Sequence, residues 1–547
     1  MMRKHPVGLP FLFFTEMWER FGYYLMIGIF FLYMTDTKAG GLGFTRANAS
    51  DVYGTFIALV YVTPFIGGLL ADRVLGFRRS IVLGGILMGL GYLLLAVPNN
   101  MTTFYAALGL MIVGNGFFKP NISTLLGNLY NEDPYRARKD DGYNIFYMGI
   151  NIGALVCNFV AAYLRNTYGW GYAFAAAGIG MFIGVLVFLI GSRHVAHADV
   201  RKEVNPAEAG VFTLLSSVLL PAVVTGLLAW NIPGNLLGSD STDAFIFGSI
   251  PVIGFFLWIL WKAPSAEKPR IQVLLAIYAV VIVFWAVFKQ NGTALTTWAE
   301  FYTDRSMPGW LETPARFMGM AQEVKNEPDT FPLYDNQFRT HKDPSTGQIA
   351  EGVTLPPYFQ NIPPAEHPPR GAPVKLVSTE IYQSVNSAFV ILLTPLLVWF
   401  FGQLRKRKRE PTTPAKIGLG LVITALSTLV TVGAVIACHN GAEKASVWWL
   451  IGTYGVVTVG ELCLSPMGLS MVSKMAPARI AGLMMGGWQL ATSIGNKLSG
   501  ILATLWDRYD DKADFFWVNF GLLAVAAAVL FLLLRWLNRV FREQGLT

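Results

Sequence analysis

Charge is scarce in this sequence. Of its 547 residues only 14% are Asp, Glu, Lys or Arg, and 53% are hydrophobic, where ordinary soluble domains carry about 25% charged residues. Mean hydropathy is +0.46. With repeated long apolar runs, that deficit excludes an ordinary water-soluble domain and places the chain among polytopic membrane proteins. Cysteine is scarce as well. Cys157, Cys438 and Cys463 lie in or beside apolar runs with no paired spacing, so they read as small packing residues rather than a disulfide framework or metal site. The six histidines (His5, His194, His197, His341, His367 and His439) fall in loops or at run ends. That placement argues against an intramembrane histidine relay, and neither a metal nor a cofactor is expected. No GxxxxGK[ST] loop is present, which leaves direct ATP use unsupported.

Apolar length is what the chain has in abundance. A spanning helix needs about 20 largely apolar residues. Spans are predicted near 10–34, 46–72, 78–97, 101–121, 143–165 and 171–191, then 211–230 and 244–262. Six more follow near 270–300, 379–402, 415–437, 446–471, 479–505 and 515–537. The pattern is six, two and six, fourteen spans in all. The first run is span-length without a small-residue cleavage site, so it reads as a helix and not as a cleavable signal peptide.

The net charge of +8 fits this count better than it fits a nucleic-acid partner. Basic residues mark alternate loops: Arg3 and Lys4; Arg73, Arg78 and Arg79; Arg136, Arg138 and Lys139; Arg193, Arg201 and Lys202; Lys262, Lys268 and Arg270. The series continues with "RKRKR" at 405–409, Lys474 and Arg479, and Arg535, Arg539 and Arg542. Intervening loops such as 98–101 and 231–243 hold almost none. By the positive-inside rule both termini are expected in the cytoplasm, which requires an even number of spans. The expected organisation is an all-α protein with a six-helix bundle over 1–191, a linker with two extra helices over 192–269, and a second six-helix bundle over 270–547. Residues 302–378 are polar and proline-rich and lie on the outer side. Having few aromatics, they are expected to form a partly ordered cap rather than a catalytic domain.

Ionisable groups inside the runs point to function, since a charge at bilayer depth costs roughly 2.5–3.5 kcal/mol even on lenient scales. In "TEMWERFGYY", residues 15–24, Glu16, Arg20, Tyr23 and Ile27 share one helical stripe with Glu19 and Tyr24 beside it. Lys119 precedes Pro120 in the fourth span and needs an acidic partner, for which Glu16 or Glu19 is the candidate. Protonating that glutamate would break the pair and free a helix to move. Glu461 lies mid-run in "GELCLSPMG", one turn before Ser465, which adjoins Pro466. Trp488, Gln489 and Lys497 follow in the eleventh core span, Gln383 and Asn386 open the eighth, and Asn144 and Asn151 sit seven apart in the fifth. A single amide is ordinarily interhelical glue. Jointly, with Glu461 and Lys119 in opposite halves, they predict a shared polar cavity. Its aromatic walls (Tyr23, Tyr24, Tyr61, Trp285 and Trp488) suit a zwitterionic ligand of moderate size.

These motifs carry a family resemblance. The ExxER pattern followed by "FGYY", the loop "GGLLADRVLG", "FFKPNIS", "YNIFYMGINIGAL" and "GELCLSPMG" resemble the proton-dependent oligopeptide transporters of the major facilitator superfamily, and the extra helix pair resembles the bacterial members. The resemblance implies a twelve-helix core in the cell (inner) membrane, acting as a monomer and importing di- and tripeptides with protons. It assigns Glu16, Glu19 and Arg20 to proton coupling with Lys119 as partner, and Glu461 to the peptide amino terminus. It places Tyr23, Tyr24, Tyr61, Asn151, Trp285, Asn386, Ser465 and Trp488 in the binding site and Asp72 and Arg73 in a gating loop. Two departures stand out. Ile27 occupies the position of an arginine that helps hold the peptide carboxylate, and Lys289 stands where the family often has the acid that pairs with it. Lys289 either takes over part of that carboxylate or gate role or snorkels to the outer surface. Carriage of another small zwitterion or anion is the same-fold alternative. A membrane enzyme would need a His, Asp or Cys cluster near one face, and none is found in the sequence.

Overall fold

The computed structural model describes residues 5–544 apart from 39, 99, 132–134, 136–137, 201–214, 310–311, 314, 316–317, 319, 343–348 and 478–479. At 69, 72–73, 139–141, 215 and 481–482 it describes the backbone alone. The expected loop cations Arg3, Lys4, Arg136, Arg201, Lys202 and Arg479 therefore lie outside the described residues. So do the side chains of Asp72, Arg73 and Lys139.

Among the described residues, fourteen helices carry the fold. The first six are α1 (Gly8–Thr35), α2 (Arg46–Leu70), α3 (Phe77–Leu95), α4 (Met101–Leu129), α5 (Lys139–Tyr168) and α6 (Trp170–Gly191). A hairpin of α7 (Leu220–Trp230) and α8 (Asp240–Lys262) follows. The last six are α9 (Lys268–Phe288), α10 (Ile381–Lys406), α11 (Thr413–Ala437), α12 (Val447–Met475), α13 (Ala481–Thr504) and α14 (Lys512–Glu543). Local chemistry sets several boundaries. The side chains of Thr45, Asn100, Ser239 and Asp511 accept backbone N–H groups at the starts of α2, α4, α8 and α14, satisfying donors that the helix leaves free. Gly76 and Gly169, with φ of 82° and 101°, make the sharp breaks before α3 and between α5 and α6 that an L side chain resists.

Eleven helices, counted over the described residues, are long and apolar enough to cross a membrane. The others have stated reasons for missing that mark. α1 carries three charges in one turn, α13 is lined with Gln489, Thr492, Ser493, Asn496 and Lys497, and the seventh apolar helix is short, Ser216–Trp230. Two separate apolar cores form. One lies within α1–α6, and the other lies within α9–α14 with Phe256 and Ile259 of α8 added. The halves meet where α2 packs along α13 and α5 along α10.

The seventh core span lies where expected, within Lys268–Tyr302, but is interrupted: α9 stops at Phe288, a 3-10 turn covers Lys289–Gly292, and Thr293 leaves helical geometry before the chain resumes as Ala294–Thr297 and a π turn to Tyr302. Within the segment expected as a partly ordered cap, the described residues form four short strands. The segment contains β1 (Ala321–Lys325) antiparallel to β4 (Pro373–Val377) and, nested between them, β2 (Asp329–Pro332) antiparallel to β3 (Glu351–Thr354). Tyr358, Phe359 and Leu376 form a small core there. Tyr334 and Phe338 lean on Phe301 at ring distances of 5.4 and 5.2 Å. A few aromatics suffice because the helix ends beneath supply the rest of the apolar surface.

Candidate functional site

The charges of α1 settle among themselves. Arg20 donates to Glu19 through two nitrogens and lies 3.5 Å from Glu16 Oε1. All three side chains are buried. The guanidinium sits 4.8 Å from the Tyr23 ring centre and 5.8 Å from that of Tyr24, within cation–π range. Glu16 Oε2 accepts no hydrogen bond from a protein group, so Glu16 is the more loosely held acid of the two.

Lys119 does not pair with either glutamate. Its Nζ lies 4.2 Å from the ring centre of Tyr61 on α2, and no ion pair to Glu16 or Glu19 forms within 4 Å among the described residues. The expectation of such a pair is corrected for this state. Arg20, on the same helix turn as both acids, reaches them first, and Lys119 on a different helix is left to the aromatic face. Lys289, at the break after α9, approaches the same Tyr61 ring from the other half at 5.9 Å, with Trp285 at 5.4 Å and Phe288 at 5.7 Å. It is half-buried among rings, which does not fit a side chain snorkelling to the outer surface.

Opposite these cations lies Glu461, near the midpoint of α12. Asn386 on α10 donates to its Oε2 at 3.1 Å and to Thr458 Oγ1 at 2.8 Å, fixing the carboxylate from the side. Lys289 acts on Glu461 electrostatically, and Glu461 in turn acts on Tyr24 and Tyr147. Lys289 of the same half and Tyr24 and Tyr147 of the other thus lie within electrostatic reach of Glu461. Ser465 follows one turn along α12 and is half-buried. Asn151 is buried and spends its amide on the Tyr147 carbonyl at 2.9 Å. Asn144, seven residues earlier, is exposed. Trp488 packs inside its own half, over Gly468 and edge-on to Tyr278 at 6.3 Å. Tyr147 was missed in the sequence because nothing separates it from neighbouring interfacial aromatics until α5 is placed.

Contacts joining the halves gather at the end of the bundle that carries residues 302–378. Asp51 pairs with Lys497 at 2.6 Å and Arg165 with Glu380 at 3.3 Å. Ser493 donates to the Ala58 carbonyl, Asn158 to Ser384, and Gln383 to the Gly28 carbonyl. The outer cap adds Lys38–Asp329 at 2.7 Å and Asn166–Ser378 at 2.7 Å. These contacts join the two halves at that end of the bundle. A cavity of about 1300 Å³ forms a vestibule under the cap lined by Asp36, Arg46, Arg165, Glu300 and Arg305 among others, and none of the central residues borders it. The central cluster is the better candidate, because its ionisable groups lie at membrane depth, where they are most costly to keep without a use.

The POT family profile matches residues 78–324 and 375–518, and the chain belongs to that family. The chain is 30% identical over 542 residues to the di-/tripeptide transporter of Lactococcus lactis subsp. cremoris, covering 97% of this chain and 95% of that one. It is 31% identical to the uncharacterized transporter YclF of Bacillus subtilis, covering 97% and 94%. Among solved structures it resembles the peptide transporter POT in complex with sulfate, with a TM-score of 0.75 and 28% identity over 98% of this chain and 96% of that one. The same similarity holds for a mutant of the peptide transporter POT in complex with alafosfalin, with a TM-score of 0.75 and 28% identity. The fold is that of the major facilitator type, twelve core helices with two more between the halves.

Proposed function

We propose that this member of the POT family is a proton-coupled carrier that imports di- and tripeptides by alternating access. The observation that carries the reading is the placement of Glu461, oriented by Asn386 and within electrostatic reach of Lys289, which shares the Tyr61 ring with Lys119 of the other half. A peptide zwitterion presents an ammonium at one end and a carboxylate at the other. Glu461 takes the first, and the lysines with Tyr61 take the second. A ligand held by both halves binds the occluded arrangement better than an open one, which is the differential affinity that a conformational cycle requires. Tyr23, Tyr24, Trp285, Asn151, Ser465 and Trp488 shape the walls around it.

The proton enters at the acid cluster of α1. With both acids ionised the cluster carries one net negative charge, two carboxylates against Arg20. Protonating Glu16, whose Oε2 has no protein donor, neutralises the cluster while the Glu19–Arg20 pair stays intact. The neutral cluster no longer attracts Lys119, whose position is then set by Tyr61 and by the substrate. A membrane potential drives the process at about 2.3 kcal/mol per charge per 100 mV. No cofactor is needed beyond the proton. The carrier resides in the cell inner membrane as a monomer with both termini in the cytoplasm, an orientation supported by the loop cations. It is a transporter and not an enzyme, and Asp72 and Arg73 belong to the inner gating loop.

Uptake of labelled dialanine into liposomes under an inward proton gradient tests the reading, and no gradient-dependent uptake overturns it. Ile27 and Lys289 favour one second reading, carriage of another small zwitterion or anion, because they leave cations in excess around Tyr61. A non-peptide zwitterion that is accumulated while dialanine is not would establish it.

A further inference from the structure

The family arrangement of an arginine on the first helix paired with an acid on the seventh cannot form here, since Ile27 and Lys289 occupy those positions. The structure nevertheless closes its outer side through a different buried pair. Lys497 of α13 is fully buried, and all three of its ammonium hydrogens have acceptors: Asp51 Oδ1 at 2.6 Å, Thr55 Oγ1 at 2.7 Å and Ser241 Oγ at 2.8 Å. Asp51 of α2 is equally well supplied. Besides Lys497 it accepts from Ser241 at 2.6 Å, from Ser239 at 3.0 Å and from Thr242 at 3.3 Å. The pair joins the two halves. The three hydroxyls all come from the start of α8, in the extra hairpin.

The backbones beside this node approach closely. A Cβ on Gly54 would meet the Gly500 Cα at 2.7 Å, and one on Gly500 would meet the Ser50 carbonyl at 2.7 Å. One turn deeper, Ser493 donates to the Ala58 carbonyl at 2.7 Å. The node lies in the outer third of the molecule, since Asp51 and Ser241 follow the outer starts of α2 and α8 and Lys497 precedes the outer end of α13. Separating α2 from α13 would leave a buried ammonium and carboxylate without each other. Stranding one partner of such a pair is strongly unfavourable unless water replaces it. The pair is therefore a two-state element, intact when the outer side is shut and hydrated when it opens.

We propose that Asp51 and Lys497 form the outer gate of this carrier, and that the α7–α8 hairpin is part of that gate through Ser241. The proposal rests on the alternating-access reading of function. In it Ser241 is a positioning residue. It holds both partners at once, so the hairpin biases the carrier towards the outer-closed state without touching substrate.

The test reads the gate without substrate or proton gradient. Ser493→Cys is made with Cys438 and Cys463 replaced by alanine. Cys157, fully buried in the first core, is retained to report misfolding. Labelling from the outer face of proteoliposomes with a membrane-impermeant maleimide is then timed. Asp51→Asn and Lys497→Gln are expected to raise the rate at position 493 about tenfold, and Ser241→Ala by a factor of about three, through a larger outer-open population. Cys157 stays unlabelled in every case. Unchanged rates in Asp51→Asn and Lys497→Gln overturn the gate, and an unchanged rate in Ser241→Ala overturns the hairpin's part. Labelling of Cys157 together with position 493 also overturns the proposal, because the pair would then hold the fold and not a gate. If the gate variants behave as expected but no peptide is transported, the gate stands and the peptide reading falls.

Discussion

Lys119 and Lys289 come from opposite halves and converge on one ring, that of Tyr61, at 4.2 and 5.9 Å. Two ammonium groups facing one aromatic repel each other unless an anion lies between them. In the proposed cycle that anion is the peptide carboxylate.

Removing one cation should weaken that end of the site selectively. Lys289→Ala is expected to raise KM for dialanine about tenfold, the equivalent of 1.4 kcal/mol, and to leave carboxy-amidated dialanine nearly unchanged. Competition uptake in liposomes measures both. Equal losses for the two peptides would show that Lys289 does not hold the carboxylate.

The opposite end makes the mirror prediction. Asn386→Ala removes the donor that orients Glu461 at 3.1 Å. KM for dialanine should rise about threefold to tenfold, within the range of one hydrogen bond to a charged group. Amino-acetylated dialanine, which lacks the ammonium, should bind poorly to wild type and variant alike. A variant that discriminates the two peptides as well as wild type does would remove Asn386 from that role.

Glu16 and Glu19 should separate by assay. Glu16→Gln is expected to abolish gradient-driven accumulation while preserving peptide exchange, because the neutral side chain mimics the protonated acid and Arg20 keeps Glu19. Glu19→Gln strips Arg20 of its principal partner, and an uncompensated buried charge costs about 3–5 kcal/mol. A clear fall in Tm in detergent should accompany it. Similar Tm losses in both variants would count against this division of labour.

Gly54→Ala tests the closeness of α2 and α13. Its Cβ would meet Gly500 Cα at 2.7 Å, backbone that cannot swing aside, and overpacking of this kind typically costs about 1–3 kcal/mol. The outer-closed state should suffer most, so exchange and driven uptake should both fall while outer-face labelling at 493 rises. Full uptake with unchanged labelling would show that the helices can part there at no cost.

On the inner side, Glu410 joins α10 to α11. Hydrogen bonds from Arg405 at 2.6 and 3.0 Å, and from Lys416 at 2.6 Å, hold its carboxyl down from 4.5 to about 2. A depressed carboxyl contributes stability that is present above its ordinary value and lost as pH falls towards the depressed one. Glu410→Gln should therefore lower Tm at neutral pH. The gap to wild type should narrow below about pH 4.5 and close near pH 2. A gap independent of pH would mean that the ion pairs contribute nothing.

The sequence by itself determined the spans, because apolar length and alternating loop cations depend only on order along the chain. It also determined that Glu16, Glu19 and Arg20 belong together, since i,i+3 and i,i+4 neighbours meet on any helix. Its prediction of a folded segment at 302–378 stopped at a loose cap, because the apolar surface that organises Tyr334 and Phe338 belongs to Phe301 and its neighbours on another element. Partnerships between helices depend on rotation and depth, which periodicity does not specify. Tertiary structure alone decided that Lys119 faces Tyr61 instead of a glutamate, that Lys289 points inward at the break after α9, and that Lys497 meets Asp51 and Ser241. A buried charge announces in the sequence that it needs a partner, and only the packing of the helices chooses which one.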